Sequence, residues 1–187
     1  MDGRIELITG CMFSGKSTEL MRRVRMHRAA RQRVLVITYE KDAERCGRNG
    51  LVSSHDREVM GAMPAGHRLA AIDTSDFDVV AIDEGQFFED LVEFCEGNAA
   101  ANRIVIVAAL DGTFERKPFG PVPHLAPRCE SVVKLEAVCM VCYGKAAFSE
   151  RIAGGNELEE IGGAEKYRAV CRKCWGSGTL LSVCSVD

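Results

Sequence analysis

Apolar residues fall along this chain in short β-branched runs separated by amphipathic or glycine-rich stretches. Residues 5–9 (I-E-L-I-T) alternate loosely, whereas 33–39 (R-V-L-V-I-T-Y), 77–83 (F-D-V-V-A-I-D) and 103–110 (R-I-V-I-V-A-A-L) are nearly continuous. Unbroken runs of this length predict strands buried on both faces, and 131–135 predicts one more. Between the first two runs, Leu20, Met21 and Val24 form an apolar stripe among arginines, so 17–31 predicts a helix. Strand, helix, strand of this kind implies a crossover connection and a parallel sheet. A second helix is predicted over 88–100, and Asp111-Gly112 turns the chain after the fourth run. The stretch 118–123 (P-F-G-P-V-P) cannot be a regular helix or a central strand. It reads as an ordered loop over a site, with 114–117 as its mobile entry. Near Val138, cysteine pairs, glycines and short strands replace the long apolar runs. The expected organisation is therefore an α/β domain over 1–137 and a smaller lobe over 138–187.

Bulk properties narrow the picture. A chain of 187 residues with 47% apolar and 27% charged residues is ordinary for a folded domain, and disorder is not indicated. The net charge of −3 argues against a general nucleic-acid binder. Six arginines do cluster between Arg22 and Arg33, and the simplest reading is the solvated face of the first helix. The N-terminal stretch has an early acid and no apolar core, unlike a secretory signal. The longest apolar run, 104–110, is far too short to span a bilayer. Nine cysteines without such a signal suggest a reducing compartment, and the cytoplasm is the expected location. Neither a membrane nor a nucleic acid is an expected partner.

Chemistry enters at Gly10, Cys11, Met12, Phe13, Ser14, Gly15, Lys16 and Ser17. This stretch matches the phosphate-binding pattern G-x4-G-K-[ST], with a predicted strand before it and a predicted helix after it. The glycines let successive N–H groups converge on one anion at the positive end of the helix. Lys16 would then reach the β- and γ-phosphates, and the Ser17 hydroxyl would complete a Mg²⁺ shell. In an open parallel sheet, ligands bind beyond the carboxyl ends of the strands. Asp83 ends the third run, where a P-loop enzyme holds the carboxylate that serves Mg²⁺ directly or through water. Glu84 follows at once and could accept a proton from an attacking hydroxyl or water. An acid pair at a strand end could also cap a helix. These residues point to phosphoryl transfer and do not separate a kinase from an ATP hydrolase.

Cys139-x2-Cys142 and Cys171-x2-Cys174 form two knuckles 28 residues apart. Four thiolates so paired suit a closed tetrahedral structural Zn²⁺ site, with the intervening segment looping out and returning. Cys11, Cys46, Cys95, Cys129 and Cys184 have no partner spacing and read as small hydrophobes. Gly154-Gly155 and Gly162-Gly163 bracket 156–161, with Tyr167 shortly after. That arrangement suits close backbone approach to a flat ligand with an aromatic to stack on it, or merely a flexible connection. His27, His55, His67 and His124 lack both ligand spacing and a paired nucleophile.

The joint set G-x-M-F-S-G-K-S-T-E-L from Gly10, D-E-G-Q-F-F from Asp83, A-A-L-D-G-T-F from Ala108, K-P-F-G from Lys117, and the knuckles with I-G-G-A and K-Y between them resembles type II thymidine kinases. The resemblance covers about 5–175 in order. It implies a RecA-like P-loop domain joined to a small zinc lobe whose lasso loop folds over thymidine. It also implies transfer of the γ-phosphoryl of Mg-ATP to the 5′-hydroxyl. Glu84 would be the general base and Asp83 a metal-shell residue, with Gly85 and Gln86 in the same nucleotide-binding stretch. Leu158, Glu159, Glu160, Ile161 and Gly162 would contact thymine mainly through backbone groups. Tyr167 and Phe114 would pack on the base, and Met12 and Leu110 would line its methyl pocket. Asp42 and Arg45 would contact phosphate, in a segment longer than usual between Lys41 and Arg57. The resemblance further implies a homotetramer or homodimer and inhibition by dTTP. Cys11 stands where the family usually has proline, with little expected effect, and turnover control through the long C-terminal tail of some relatives is not expected. A P-loop ATPase or motor, and a non-catalytic zinc-ribbon adaptor, are the competing classes.

Overall fold

The computed structural model describes residues 2–41, 51–53, 59–155, 160 and 162–177, with only the backbone given at 51–53 and 59. The central element is a sheet of six strands in the order β5-β2-β6-β7-β1-β8, formed by β1 (Arg4–Gly10), β2 (Val34–Tyr39), β5 (Met63–Ala65), β6 (Val79–Ile82), β7 (Ile104–Ala109) and β8 (Ser131–Leu135). Every adjacent pair in it is parallel. The five runs read from the sequence are all present. The sixth strand, β5, has only one buried residue of three, so it carries no apolar run to betray it. A separate antiparallel ribbon pairs β3 (Leu51–Ser53) with β4 (Val59–Gly61).

The period-two alternation along each strand divides the core into two layers. In β7, Val105, Val107 and Ala109 face one layer, while Ile104, Ile106 and Ala108 face the other. The first layer is covered by α2 (Leu91–Ala100) through Leu91 and Cys95, and by the one-turn helix α3 (Val122–Leu125). The second is covered by α1 (Lys16–Ala29) through Leu20, Met21 and Val24, the stripe the sequence marked. Charged residues occupy the outer side of α1, where Glu19 pairs with Arg22 at 2.6 Å and Arg23 at 2.8 Å.

Two segments differ from the expectation. The proline-rich stretch enters a helical turn at Val122, because Pro121 caps it and Pro123 sits in the first turn, where its missing N–H is not needed. Residues 113–117 form a closed turn: Thr113 N–H donates to the Lys117 carbonyl and Arg116 N–H to the Thr113 carbonyl, both at 2.9 Å.

After β8 the chain builds a lobe from two small antiparallel pairs. One joins β9 (Ala137–Val138) to β10 (Lys145–Ala146), and the other joins β11 (Phe148–Arg151) to β12 (Tyr167–Val170). Its core includes Cys11 from the loop after β1, with Phe13 packed against it. Truncating Leu20, which is fully buried between α1 and the sheet, should cost about 2–5 kcal/mol as Leu20→Ala. Urea unfolding would register this as a lower midpoint at an unchanged slope.

Candidate active site

All six strands of the main sheet bring their carboxyl ends to one rim, and the loop from Gly10 to Ser17 leaves β1 there. Gly10 has φ +146°, and a Cβ on it would lie 2.5 Å from the Leu135 carbonyl oxygen of neighbouring β8. Only glycine fits so close a passage. Gly15 takes the left-handed conformation, φ 83°, as the residue before α1, and its carbonyl accepts from Glu19 N–H at 2.9 Å. Between them, the Ser14 hydroxyl and the Lys16 ammonium both donate to the Cys11 carbonyl at 2.8 Å, which folds the loop on itself.

Lys16 is buried. Burial pushes its pKa down, and the carboxylates of Glu84 and Asp83 pull it back up. The Ser17 hydroxyl donates to Asp83 Oδ1 at 3.2 Å, so hydroxyl and carboxylate stand within reach of a single cation. Asp83 is buried and follows directly on β6. Glu84 takes a left-handed backbone, φ 56° and ψ 38°, and does not cap the short 3₁₀ turn Gly85–Phe87 with its side chain. Such strain in a non-glycine residue persists only where its surroundings hold it. The holder is Gln86, itself buried. Its amide donates to Glu84 Oε2 at 2.5 Å, while its oxygen accepts from Leu110 N–H at 2.9 Å. Glu84 is thereby tied to the end of β7. Gln86 was expected only within a nucleotide-binding stretch, and its bridging role has no sequence signature.

The loop from Gly10 to Ser17 is also fastened to the lobe. Met12 N–H donates to the Ser149 hydroxyl at 2.9 Å, and the Cys11 thiol points to the Ala146 carbonyl at 3.5 Å. Cys11 is therefore a small buried hydrophobe at a docking point. The side chains carried over for base contact meet at a nearby cluster. Tyr167 donates its hydroxyl to the Glu160 carbonyl at 2.6 Å, and Phe114 lies under the Arg151 guanidinium at 3.9 Å. Gly162 is buried. The Glu160 carboxylate accepts from Gly155 N–H and from Lys166, each at 2.8 Å. Asp42, Arg45, Leu158, Glu159 and Ile161 lie outside the described residues. Sequence reasoning missed Ser149 and Arg151. They stand two apart on β11, one fastening the phosphate loop and the other the Phe114–Tyr167 cluster. Knowing the strand would have put them on one face.

Cys139, Cys142, Cys171 and Cys174 converge, with all four sulfurs within 4.8 Å of one another. Cys142 and Cys171 sulfurs are 3.8 Å apart, which is about the edge of a tetrahedron with Zn–S bonds of ≈ 2.3 Å. Burial raises the Cys139 thiol, but backbone N–H groups of Cys142, Cys171 and Val141 outweigh it and bring it down to about 6. The neighbouring Cys171 thiol, with burial, pushes Cys174 up to about 12. Four thiols so placed cannot all ionise unaided, and a dication relieves that conflict. The donor set fits a closed structural zinc site.

A family model described as thymidine kinase matches residues 3–175. The cytosolic thymidine kinases of Bos taurus and Homo sapiens are each 53% identical over 174 residues, covering 92% of this chain and 72% and 73% of those proteins. A thymidine kinase of Yaba monkey tumor virus is 54% identical over 175 residues, covering 92% of this chain and 94% of its own length. Among the described residues, no helix is long and apolar enough to cross a membrane.

Purified chain should carry about one zinc ion, as the four-thiolate set requires. Cys174→Ser should drop the metal content measured by plasma mass spectrometry to near zero. The melting temperature should fall by ~5–10 °C, the shift that a loss of a few kcal/mol produces in a domain of this size.

Proposed function

The chain belongs to the thymidine kinase family, and on that premise we propose that it transfers the γ-phosphoryl group of Mg-ATP to the 5′-hydroxyl of thymidine. The observation that carries this reading is a proton acceptor and a polyphosphate grip held side by side. Glu84, fixed by Gln86, lies close enough to Lys16 for its charge to hold up the pKa of the buried ammonium. The fold is read as a RecA-like P-loop domain over 1–137 with a zinc and lasso lobe over 138–187.

Each group then has a task. The loop from Gly10 to Ser17, through its N–H groups other than that of Met12, which Ser149 holds, and the Lys16 ammonium bind the triphosphate and keep its terminal phosphorus in line with the acceptor. Ser17 and Asp83 would hold Mg²⁺, which spreads the negative charge that develops between the β- and γ-phosphates. Glu84 accepts the 5′-hydroxyl proton as the O5′–Pγ bond forms and the bond from Pγ to the β-phosphate oxygen breaks, leaving ADP and dTMP. Asp42 and Arg45 are carried over as further phosphate contacts. Met12 and Leu110 line the methyl pocket, while Phe114, Tyr167 and the backbone of Leu158 to Gly162 hold the base. Zinc is structural. The reading extends to cytoplasmic salvage of deoxynucleosides by a homotetramer or homodimer, with dTTP as a feedback inhibitor.

ATP consumption by the purified chain should depend on added thymidine, and nucleoside-independent hydrolysis would indicate an ATPase. Glu84→Gln should leave ATP affinity unchanged and lower kcat by about two to four orders of magnitude, the range for loss of a general base. A variant turning over at nearly the wild-type rate would remove Glu84 from that role. Discrimination against deoxyuridine rests on one methyl group, so the ratio of kcat/KM values should correspond to about 1–3 kcal/mol.

A further inference from the structure

Arg151 ends β11 with a side chain only 6% exposed, and no chemistry assigned so far uses it. Its guanidinium makes a set of contacts that only a planar fork can make together. Nη2 and Nε donate to the Tyr167 hydroxyl at 2.7 and 3.2 Å, and Nη1 donates to the Gly155 carbonyl at 2.9 Å. Nη1 also lies 3.7 Å from the Glu160 carboxylate, and the flat face of the group covers the Phe114 ring at 3.9 Å. Tyr167 passes the constraint on by donating to the Glu160 carbonyl at 2.6 Å.

We infer that Arg151 is a positioning residue for nucleoside binding. It fixes the ring plane of Phe114, the hydroxyl direction of Tyr167, and the backbone at Gly155. This inference rests on the proposed thymidine kinase reading. Three physical points support it. A buried arginine is costly unless its donors are paired, and four of the groups facing this one are hydrogen-bond or ion-pair partners or an aromatic face. The groups it orients come from the 113–117 turn on one side and from β12 with the glycine-flanked segment before it on the other, stretches far apart in sequence. It stands two residues beyond Ser149, which fastens Met12 N–H, so one short strand aligns the phosphate loop and the aromatic pair. Lysine cannot substitute, because one ammonium on a flexible stem supplies neither the fork nor the stacking face.

Steady-state kinetics of wild type, Arg151→Lys, Arg151→Met and Tyr167→Phe test this, with the melting temperature of each as a folding control. Arg151→Lys should raise thymidine KM by about tenfold or more, the scale of one lost charge-assisted hydrogen bond, while ATP KM moves less than about threefold. Tyr167→Phe keeps the ring, removes the relaying hydroxyl and should raise thymidine KM in the same direction. The double variant Arg151→Lys/Tyr167→Phe should fall well short of the product of the single effects, because both break one network. Thymidine KM within about twofold of wild type in Arg151→Lys, equal rises in both KM values, or multiplicative single effects would each overturn the assignment. A wild-type chain without thymidine-dependent turnover would instead overturn the kinase reading itself, and this role with it.

Discussion

A lysine ammonium buried at the rim of a parallel sheet is the constraint around which the rest of this molecule is arranged. Taking Lys16 out of water costs several kcal/mol unless oxygen atoms replace the lost hydration. The Cys11 carbonyl supplies one at 2.8 Å, and the charges of Glu84 and Asp83 add to the compensation. Both acids must therefore stand beyond the end of β6, opposite the loop leaving β1, although β7 lies between these strands in the sheet. The strand order satisfies that requirement, and it also brings Leu110 N–H within reach of Gln86. A triphosphate entering this site meets a cation already desolvated, so little reorganisation is left for the reaction itself.

That rim is not self-supporting. The loop is tied to its own helix through Gly15 and to the cysteine lobe through Met12 and Cys11. The 113–117 turn is fastened to the same lobe by Arg116, whose guanidinium stacks on Trp175 at 3.9 Å and lies 5.4 Å from the centre of Phe148. Phosphate loop, turn and lobe thus share one set of contacts. A displacement of the lobe would reach the catalytic rim through backbone hydrogen bonds rather than through solvent.

What could be read in the sequence, and what could not, divides along a physical line. Gly10, Gly15, Lys16 and Ser17 were legible because backbone geometry and anion chemistry fix both their types and their spacing. The four knuckle cysteines were legible because metal coordination does the same. Buried strands announced themselves by continuous apolar runs, and α1 by its stripe. The short strand β5 did not, since two of its three residues face solvent and its place depends on pairing with β2. The bridging role of Gln86 was invisible, although the residue stood in the expected nucleotide-binding stretch, and so were Ser149 and Arg151. Each is an ordinary polar residue whose importance comes from partners 24, 137 and 16 positions away. Only the folded chain supplies such neighbours. The strained backbone of Glu84 belongs with them, because nothing local demands a left-handed glutamate.

The same division explains why the lobe bears on both halves of the site. Its core holds Cys139 and Cys174 together with Cys11, so the groups that would ligate zinc and the first residue past Gly10 pack as one cluster. Free energy from metal binding is folding free energy wherever the ligands are not preassembled in the unfolded chain. In a lobe of two-stranded ribbons, too small to bury much apolar surface of its own, that term stabilises more than the knuckles. It fixes β11, and β11 fixes Met12 through Ser149 and Tyr167 through Arg151. A metal held by the four cysteines would therefore set how firmly both the Gly10–Ser17 loop and the Phe114–Tyr167 cluster are held.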